Sequence, residues 1–360
     1  MKNTNYLVAV LAFFLVNFSG NVAKAAKSDN TLYNYVKSEH QSGKRVYGIV
    51  PKQTGGPFFS EIEKGCMDAA EQIGVTCLYF GEQQKDARAQ LKAIQALMDA
   101  NVDGLAIAGL RTDWIHKTIG KQLKDWGKPI IGFDSPLSME LARAYVGTHN
   151  YLLGRALGRE IVKLKPNGGS YCIHAERPDS PNHNDRIRGV EDIFRESNNP
   201  GHWQGIAACP IRHFGHAELG AKQMKRILNK FAPDIFISTG GGAQFVPQTY
   251  RKLVSPWRDK IASGELVIAS IDTTPGQVEL LKEGLATINV GQKPYEMGYW
   301  AVTLLNMHDN GQPIPLVVNT GLTLCDQRNY ATCAQQKPIT FKVNEVKQNL
   351  TIGQIRRPQS

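Results

Sequence analysis

Beyond its first residues the chain has no long apolar run. A membrane-spanning helix needs about 20 consecutive apolar residues; the stretch from Tyr6 to Phe18 falls short and no later segment approaches it. The familiar catalytic signatures are also missing: there is no nucleophile elbow, no phosphate-cradling glycine loop ending in Lys and Ser or Thr, and no His-Glu-x-x-His. Gly240-Gly241-Gly242 follows an apolar run, but Ala243 and Gln244 do not supply the remaining glycine of a dinucleotide fingerprint. No cofactor is expected. None of the cysteines has the Cys-x-x-Cys spacing of zinc or redox sites. Internal repeats and low-complexity tracts are absent, and the formal charge of +10 is dispersed without a basic run. A solvated surface accounts for that dispersion better than a nucleic-acid or membrane partner does, although it leaves an acidic small ligand open.

What the chain does have begins with an export signal. Lys2 precedes the apolar run, and Ala23-Lys24-Ala25 supplies small residues for cleavage, so residues 1–25 read as a leader and the mature chain as periplasmic. No Cys follows the cleavage site, so a lipid anchor is not indicated. Six cysteines in an exported chain suggest disulfides, and position pairs Cys66 with Cys77, Cys172 with Cys209, and Cys325 with Cys333. Free buried thiols are the alternative.

Short β-rich runs alternate with amphipathic stretches almost throughout. Val46–Val50, Thr76–Phe80, Gly104–Ala108, Ile130–Phe133, Ala144–Val146, Ser170–His174, Gly205–Ala208, Ile235–Ser238, Leu266–Ile271 and Ala286–Val290 are the strand candidates. Between them, patterns such as Phe59, Ile62, Cys66, Ala69 and Ile73 repeat at helical spacing. Strand and helix in that order make βαβ units and parallel sheets. One sheet of more than about ten strands is unusual, so the expectation is two Rossmann-like, doubly wound α/β lobes. Ligands then sit at the carboxyl ends of the strands.

Three constellations fall there. Gly55-Gly56-Pro57-Phe58-Phe59 offers flat aromatic faces for a sugar ring, or else core residues stapling a helix start. Asp134 and Asp272 each stand at a strand terminus, where a carboxylate can accept from two hydroxyls or cap a helix. Arg186 opens a helix in Asn184-Asp185-Arg186-Ile187-Arg188-Gly189, and its guanidinium fork can bind several oxygens. A metal reading of His213 and His216, with His174 and His183 nearby in the same lobe, lacks a Cys or carboxylate at a matching interval.

The stretch Asp272, Thr274-Pro275, Gly284, Ala286-Thr287-Ile288, Gln292 and Pro294-Tyr295-Glu296-Met297-Gly298-Tyr299 resembles the periplasmic sugar-binding proteins related to ribose- and galactose-binding proteins. Pro57-Phe58-Phe59, Phe133-Asp134, Val146-Gly147-Thr148-His149-Asn150 with Gly154, and Arg186-Ile187-Arg188-Gly189 fall in matching order, so the resemblance runs over residues 45–335. It implies a type I periplasmic binding protein fold whose three crossovers between lobes act as a hinge. The lobes would comprise residues 45–149 with 293–317, and 150–292 with 318–340, flanked by an extension at 26–44 and a tail at 341–360. It also implies Phe58 and Phe59 as stacking faces, Asp134, Arg186, Asp272 and Gln292 as hydrogen-bonding groups, and Phe214, or His213 in its place, as a further contact.

Two departures bear on the ligand. Gly56 and Gly240-Gly241-Gly242 stand where these relatives carry Asn or Asp, so the expectation is vacated space for a larger or less hydroxylated ligand, with Gln244 or Phe245 entering the pocket. The implied role is ligand capture by a monomer for a membrane ABC importer; a chemoreceptor or sensor kinase is the alternative reader of the same pocket. A carbohydrate-active enzyme using Asp134 and Asp272 is the remaining alternative.

Overall fold

A computed structural model describes residues 29–333; the expected leader at residues 1–25 and tail at residues 341–360 lie outside the described residues. The chain opens with α1 (Asp29–Gln41) and then alternates: β1 (Val46–Val50), α2 (Pro57–Ile73), β2 (Thr76–Tyr79), α3 (Ala87–Asp99), β3 (Gly104–Ile107), α4 (Thr112–Trp126), β4 (Ile130–Phe133) and β5 (Ala144–Gly147). Next come α5 (Asn150–Leu164), β6 (Gly169–Ala175), α6 (Pro181–Glu196), β7 (Trp203–Gly205), β8 (Ile211–Arg212), α7 (Ala217–Phe231), β9 (Ile235–Ser238), α8 (Pro247–Val254), α9 (Arg258–Ala262) and β10 (Val267–Ile271). The last elements are α10 (Pro275–Lys282), β11 (Ile288–Gly291), α11 (Pro294–Asp309), β12 (Val317–Asn319), β13 (Thr323–Asp326) and α12 (Tyr330–Cys333).

The strands form two sheets, in the orders β12-β5-β4-β3-β1-β2 and β13-β11-β10-β9-β6-β7, with β8 also pairing β6. Every pairing is parallel except that of β13 with β11. Runs such as β1 and β10 are buried at every position because helices cover both faces of each sheet. The core accordingly divides into four apolar clusters, one on each face of each sheet. Three disulfides join the pairs expected from position, with Cα–Cα distances of 6.1, 5.4 and 5.5 Å.

Several boundaries differ from the sequence expectation. The chain passes between sheets after β5, after β11 and after β12. The third passage was expected after residue 317, but Val318 and Asn319 still pair with Val146 and Gly147 of the first sheet, so it comes after Asn319. The segment read as an extension at 26–44 contains α1, which buries Val36 in the first lobe and is tied to it by His40–Asp103 at 2.8 Å and Thr76–Glu39 at 2.6 Å. Of the run expected as a strand at Gly205–Ala208 only Gly205 lies in one: β7 ends there, and a turn closed by the Cys209 N–H on the Ile206 carbonyl at 2.8 Å leads on to β8.

Each lobe contains one helix pair whose backbones touch, and glycines make that approach feasible. A Cβ on Gly65 of α2 would lie 1.9 Å from the Tyr295 carbonyl oxygen of α11, and one on Gly298 would lie 1.9 Å from that of Ile62. In the second lobe a Cβ on Gly154 of α5 would lie 2.1 Å from the Arg186 carbonyl oxygen of α6, and one on Gly189 would lie 2.3 Å from that of Tyr151. Backbone cannot yield as a flexible side chain does. Gly154→Ala should therefore lower stability by about 1–3 kcal/mol and displace Arg186, whereas Gly201→Ala, with nothing within 4 Å, should unfold at the wild-type temperature. Thermal unfolding of the two variants checks this.

Candidate functional site

The carboxyl ends of both sheets face one cavity of about 280 Å³ between the lobes. Lys52 and Gln53 reach it from the end of β1, Phe58 and Phe59 from the first turn of α2, Lys85 from the loop after β2, and Asp134 from the end of β4. The second lobe contributes Glu176 after β6, Asn182, His183 and Arg186 from the start of α6, His213 after β8, Gly240 to Gly242 and Phe245 after β9, Asp272 after β10 and Gln292 after β11.

Asp134 and Asp272 occupy equivalent places in the two sheets and both have left-handed backbones, φ 55° and 77°. Such a conformation costs free energy for a residue with a Cβ, Asp tolerating it better than most, and it turns the chain sharply as the strand ends. Neither carboxylate caps a helix: the cap of α10 is Thr274, reciprocated by Gln277. Asp134 instead pairs with the buried Lys52 ammonium at 2.8 Å, and Asp272 accepts from the Gln292 amide at 2.7 Å. Burial pushes the Asp272 carboxyl up, against the opposing pull of the Arg186 guanidinium and the Gln292 amide.

Arg186 is only 2% exposed. A guanidinium cannot shed its charge, so its buried donors need partners. Nε donates to Asn150 Oδ1 at 2.8 Å, Nη1 to the Thr239 carbonyl at 2.9 Å and Nη2 to Gln292 Oε1 at 2.8 Å. Five N–H groups set against three bonds leave donors for a ligand on the cavity wall. Phe58 and Phe59 meet edge to face, with ring centroids 5.2 Å apart, and they belong both to the cavity lining and to the apolar core. The pair is thus at once part of the core and part of the cavity wall.

Six of the seven residues expected at the site line this cavity; Phe214 does not. Phe214 (φ 53°) and Gly215 (φ 87°) are consecutive left-handed residues, which turn the chain so that His213 faces inward while Phe214 is 49% exposed beneath the Arg177 guanidinium. The expectation of vacated space is also corrected. A Cβ on Gly240 would lie 2.7 Å from His183 Cε1, one on Gly241 2.0 Å from Phe245 Cε1, and one on Gly56 3.2 Å from Gln53 Nε2. The protein's own rings and amide fill the room. Phe245 does line the cavity, but Gln244 is turned away to bond Gln277 and Asn289.

Sequence reasoning did not single out Lys52, Lys85 and Glu176 as site groups and named His183 only in the metal reading. Glu176 receives Lys85 Nζ at 2.6 Å and His183 Nε2 at 3.4 Å. Burial opposes its charge, but Lys85 and His183 prevail and hold it well below the ordinary value. His183 also meets Thr239 Oγ1 through Nδ1 at 3.0 Å. Among the described residues no group of three or more His, Cys, Asp or Glu is placed to hold a metal ion.

Burial moves His183 and His213 from 6.5 down to about 4 and His174 down to about 3. Folding thus favours the neutral rings. Below pH 6.5 the unfolded chain takes up protons that the folded chain refuses, so this contribution to stability is lost as pH falls from 6.5 toward 4. Asp272, raised by burial, is a single group pulling the other way against the three histidines. The unfolding temperature should fall over that window, and His174→Gln should flatten the slope in calorimetry at stepped pH.

Two lobes enclosing a polar, aromatic-walled cavity at their strand ends define a ligand-binding protein built on an open α/β frame. The chain belongs to the periplasmic binding protein domain family, whose model matches residues 47–313. It is 22% identical over 303 residues to the D-allose-binding periplasmic protein of Escherichia coli (strain K12), covering 79% of this chain and 92% of that one. A xylose/arabinose-binding protein of Sulfolobus acidocaldarius is 21% identical over 79% of this chain and 71% of its own length. Among solved structures, a glucose-galactose binding protein from Geobacillus stearothermophilus superposes with a TM-score of 0.71 at 25% identity, covering 79% of this chain and 98% of that one. A solute-binding protein of an ABC transporter from Agrobacterium vitis, bound with alpha-D-tagatopyranose, shares the fold at a TM-score of 0.73 and 20% identity, covering 82% of this chain and 100% of that one.

Proposed function

We propose that this chain is an exported binding protein that captures a small sugar or sugar derivative between its lobes and presents it to a membrane ABC importer. The observation that carries the reading is the cavity: paired aromatic faces at Phe58 and Phe59 stand near hydrogen-bonding groups from both sheets, the combination a ring with one apolar face and a rim of hydroxyls requires. The names of the relatives point the same way, since each is described by a sugar it binds. Asp134, Arg186, Asp272 and Gln292 serve as the hydroxyl-reading groups, and closing of the lobes about the three crossovers engages both sets. The cavity lies just below the range of about 300–1,000 Å³ common for drug-sized ligands, which favours a monosaccharide over a longer saccharide.

The charges refine this. Lys52, Lys85 and Arg186 balance Asp134, Glu176 and Asp272, and the two lining histidines are held neutral. A pocket without net charge favours an uncharged ligand over a sugar acid, which would have to compete with a carboxylate already in place. The test is thermal unfolding of the mature protein against neutral mono- and disaccharides, sugar acids, polyols and furanose signalling molecules. A cognate ligand at 100 times its dissociation constant adds about 2.7 kcal/mol, and Asp272→Ala or Arg186→Ala should abolish its shift. No shift with any compound overturns the sugar reading. N-terminal sequencing of the protein from the periplasm should begin at or next to Ala26; a retained Met1 refutes export by cleavage.

A further inference from the structure

Among the described residues two ion pairs join the lobes directly. Lys85, from the loop after β2 of the first lobe, donates to Glu176, at the end of β6 of the second, at 2.6 Å. Arg111, at the start of α4, reaches Asp179 in the loop before α6 at 3.1 Å. They are not equivalent. The Arg111 pair is solvent-exposed on both sides, with side-chain exposures of 41% and 36%, whereas Lys85 and Glu176 are 22% and 8% exposed. Exposed pairs contribute little, while a buried charge deprived of its partner is costly.

The second lobe is shaped to receive Lys85. The Phe214 N–H donates to the Glu176 carbonyl at 2.8 Å and the His213 N–H to the Ala175 carbonyl at 3.1 Å, so the turn after β8 is fixed to the strand end that carries the carboxylate. At Gly215 a Cβ would lie 3.3 Å from Lys85 Cδ and 3.2 Å from Glu176 Oε1. The lysine stem thus lies along bare backbone while its ammonium meets the acid. His183 holds the other carboxylate oxygen from behind, at 3.4 Å, so Glu176 is aimed before Lys85 arrives.

Both ion pairs run directly from side chain to side chain across the cleft. We infer that Lys85 and Glu176 are positioning residues: their pair draws the lobes together in the absence of ligand and thereby sets affinity through the closure equilibrium. Apparent affinity scales with the fraction of protein in the binding-competent state. When the lobes part, both groups regain water, so the pair favours only the closed arrangement.

The proposal rests on the reading of a hinged binding protein, and its test uses ligand-free protein so that the two can fail separately. Small-angle X-ray scattering should give Lys85→Met and Glu176→Gln a larger radius of gyration than wild type. Lys85→Arg, which keeps the charge, should remain compact, and so should Arg111→Met, which removes only the exposed pair. The double variant should be no more open than either single one, the signature of one shared interaction. For a sugar that shifts the wild type, Lys85→Met should weaken binding on the order of tenfold. Identical scattering for wild type, Lys85→Met and Glu176→Gln overturns the proposal while leaving sugar binding untouched. An opened Lys85→Met in a protein that shifts with no sugar supports the latch and sinks the sugar reading.

Discussion

A guanidinium buried beneath the cavity is the constraint around which the second lobe is arranged. Arg186 cannot be neutralised, and taking it out of water is costly unless every direction it points in is answered. The answers come from three separate chain segments: Asn150 at the start of α5, the Thr239 carbonyl after β9, and Gln292 after β11. Gln292 then passes the ordering on, because the amide that accepts from Arg186 through its oxygen donates through its nitrogen to Asp272. One cation thus fixes a carboxylate two strands away, and it does so at a passage between lobes, since α11 of the first lobe begins directly after Gln292. An apolar residue of similar volume would satisfy the packing, but it would leave Gln292 and Asp272 without orientation.

That arrangement depends on glycine. Arg186 lies one turn into α6, and α6 can bring it beneath the sheet ends only by pressing its backbone against α5, where Gly154 and Gly189 remove the side chains that would hold the helices apart. The first lobe repeats the device with Gly65 and Gly298, and there it seats α2, whose first turn carries Phe58 and Phe59. In both lobes, then, a helix bearing cavity-lining groups is packed backbone to backbone on a helix that follows a crossover. Rigid seating of a binding group on a helix is more exacting than holding it on a loop.

The alternation of β-rich and amphipathic runs made the two doubly wound lobes legible, and strand-end carboxylates made Asp134 and Asp272 legible within them. What remained hidden depended on contacts between distant segments. Lys52 and Glu176 follow strands as closely as Asp134 does, so their position was readable, but their roles were not, because each is defined by a partner far along the chain. Phe214 was misplaced by one residue: two consecutive left-handed residues invert the facing of the turn, and a sequence shows the glycine but not the Phe214 backbone angle. The glycines at 56 and 240 were readable as lost side chains. That Gln53 and His183 occupy the space could be learned only from the packing, since a glycine signals close approach without naming what approaches. The strands β7 and β8, and the edge strands β12 and β13 of the two sheets, were too short to show a period.

Internal pairing of charge also governs how the cavity can recognise anything. Lys52 with Asp134, Lys85 with Glu176, and Arg186 through Gln292 with Asp272 mean that no charged group waits bare for the ligand. Each pair still has unused capacity, for an ammonium has three donors and a carboxylate about four acceptor positions, while the partners account for only part of either. What a ligand meets is therefore a set of oriented, partly satisfied donors and acceptors, whose desolvation was largely met when the protein folded. Hydroxyl groups suit such a wall because each both donates and accepts, and so can lie between an ammonium and a carboxylate without breaking the bond that joins them. A full charge cannot do this, since its arrival would repel one member of every pair it approached. The same pairing that makes five buried ionic groups and the half-buried Lys85 tolerable thus suits the wall to the neutral, hydroxyl-rich molecules proposed for it.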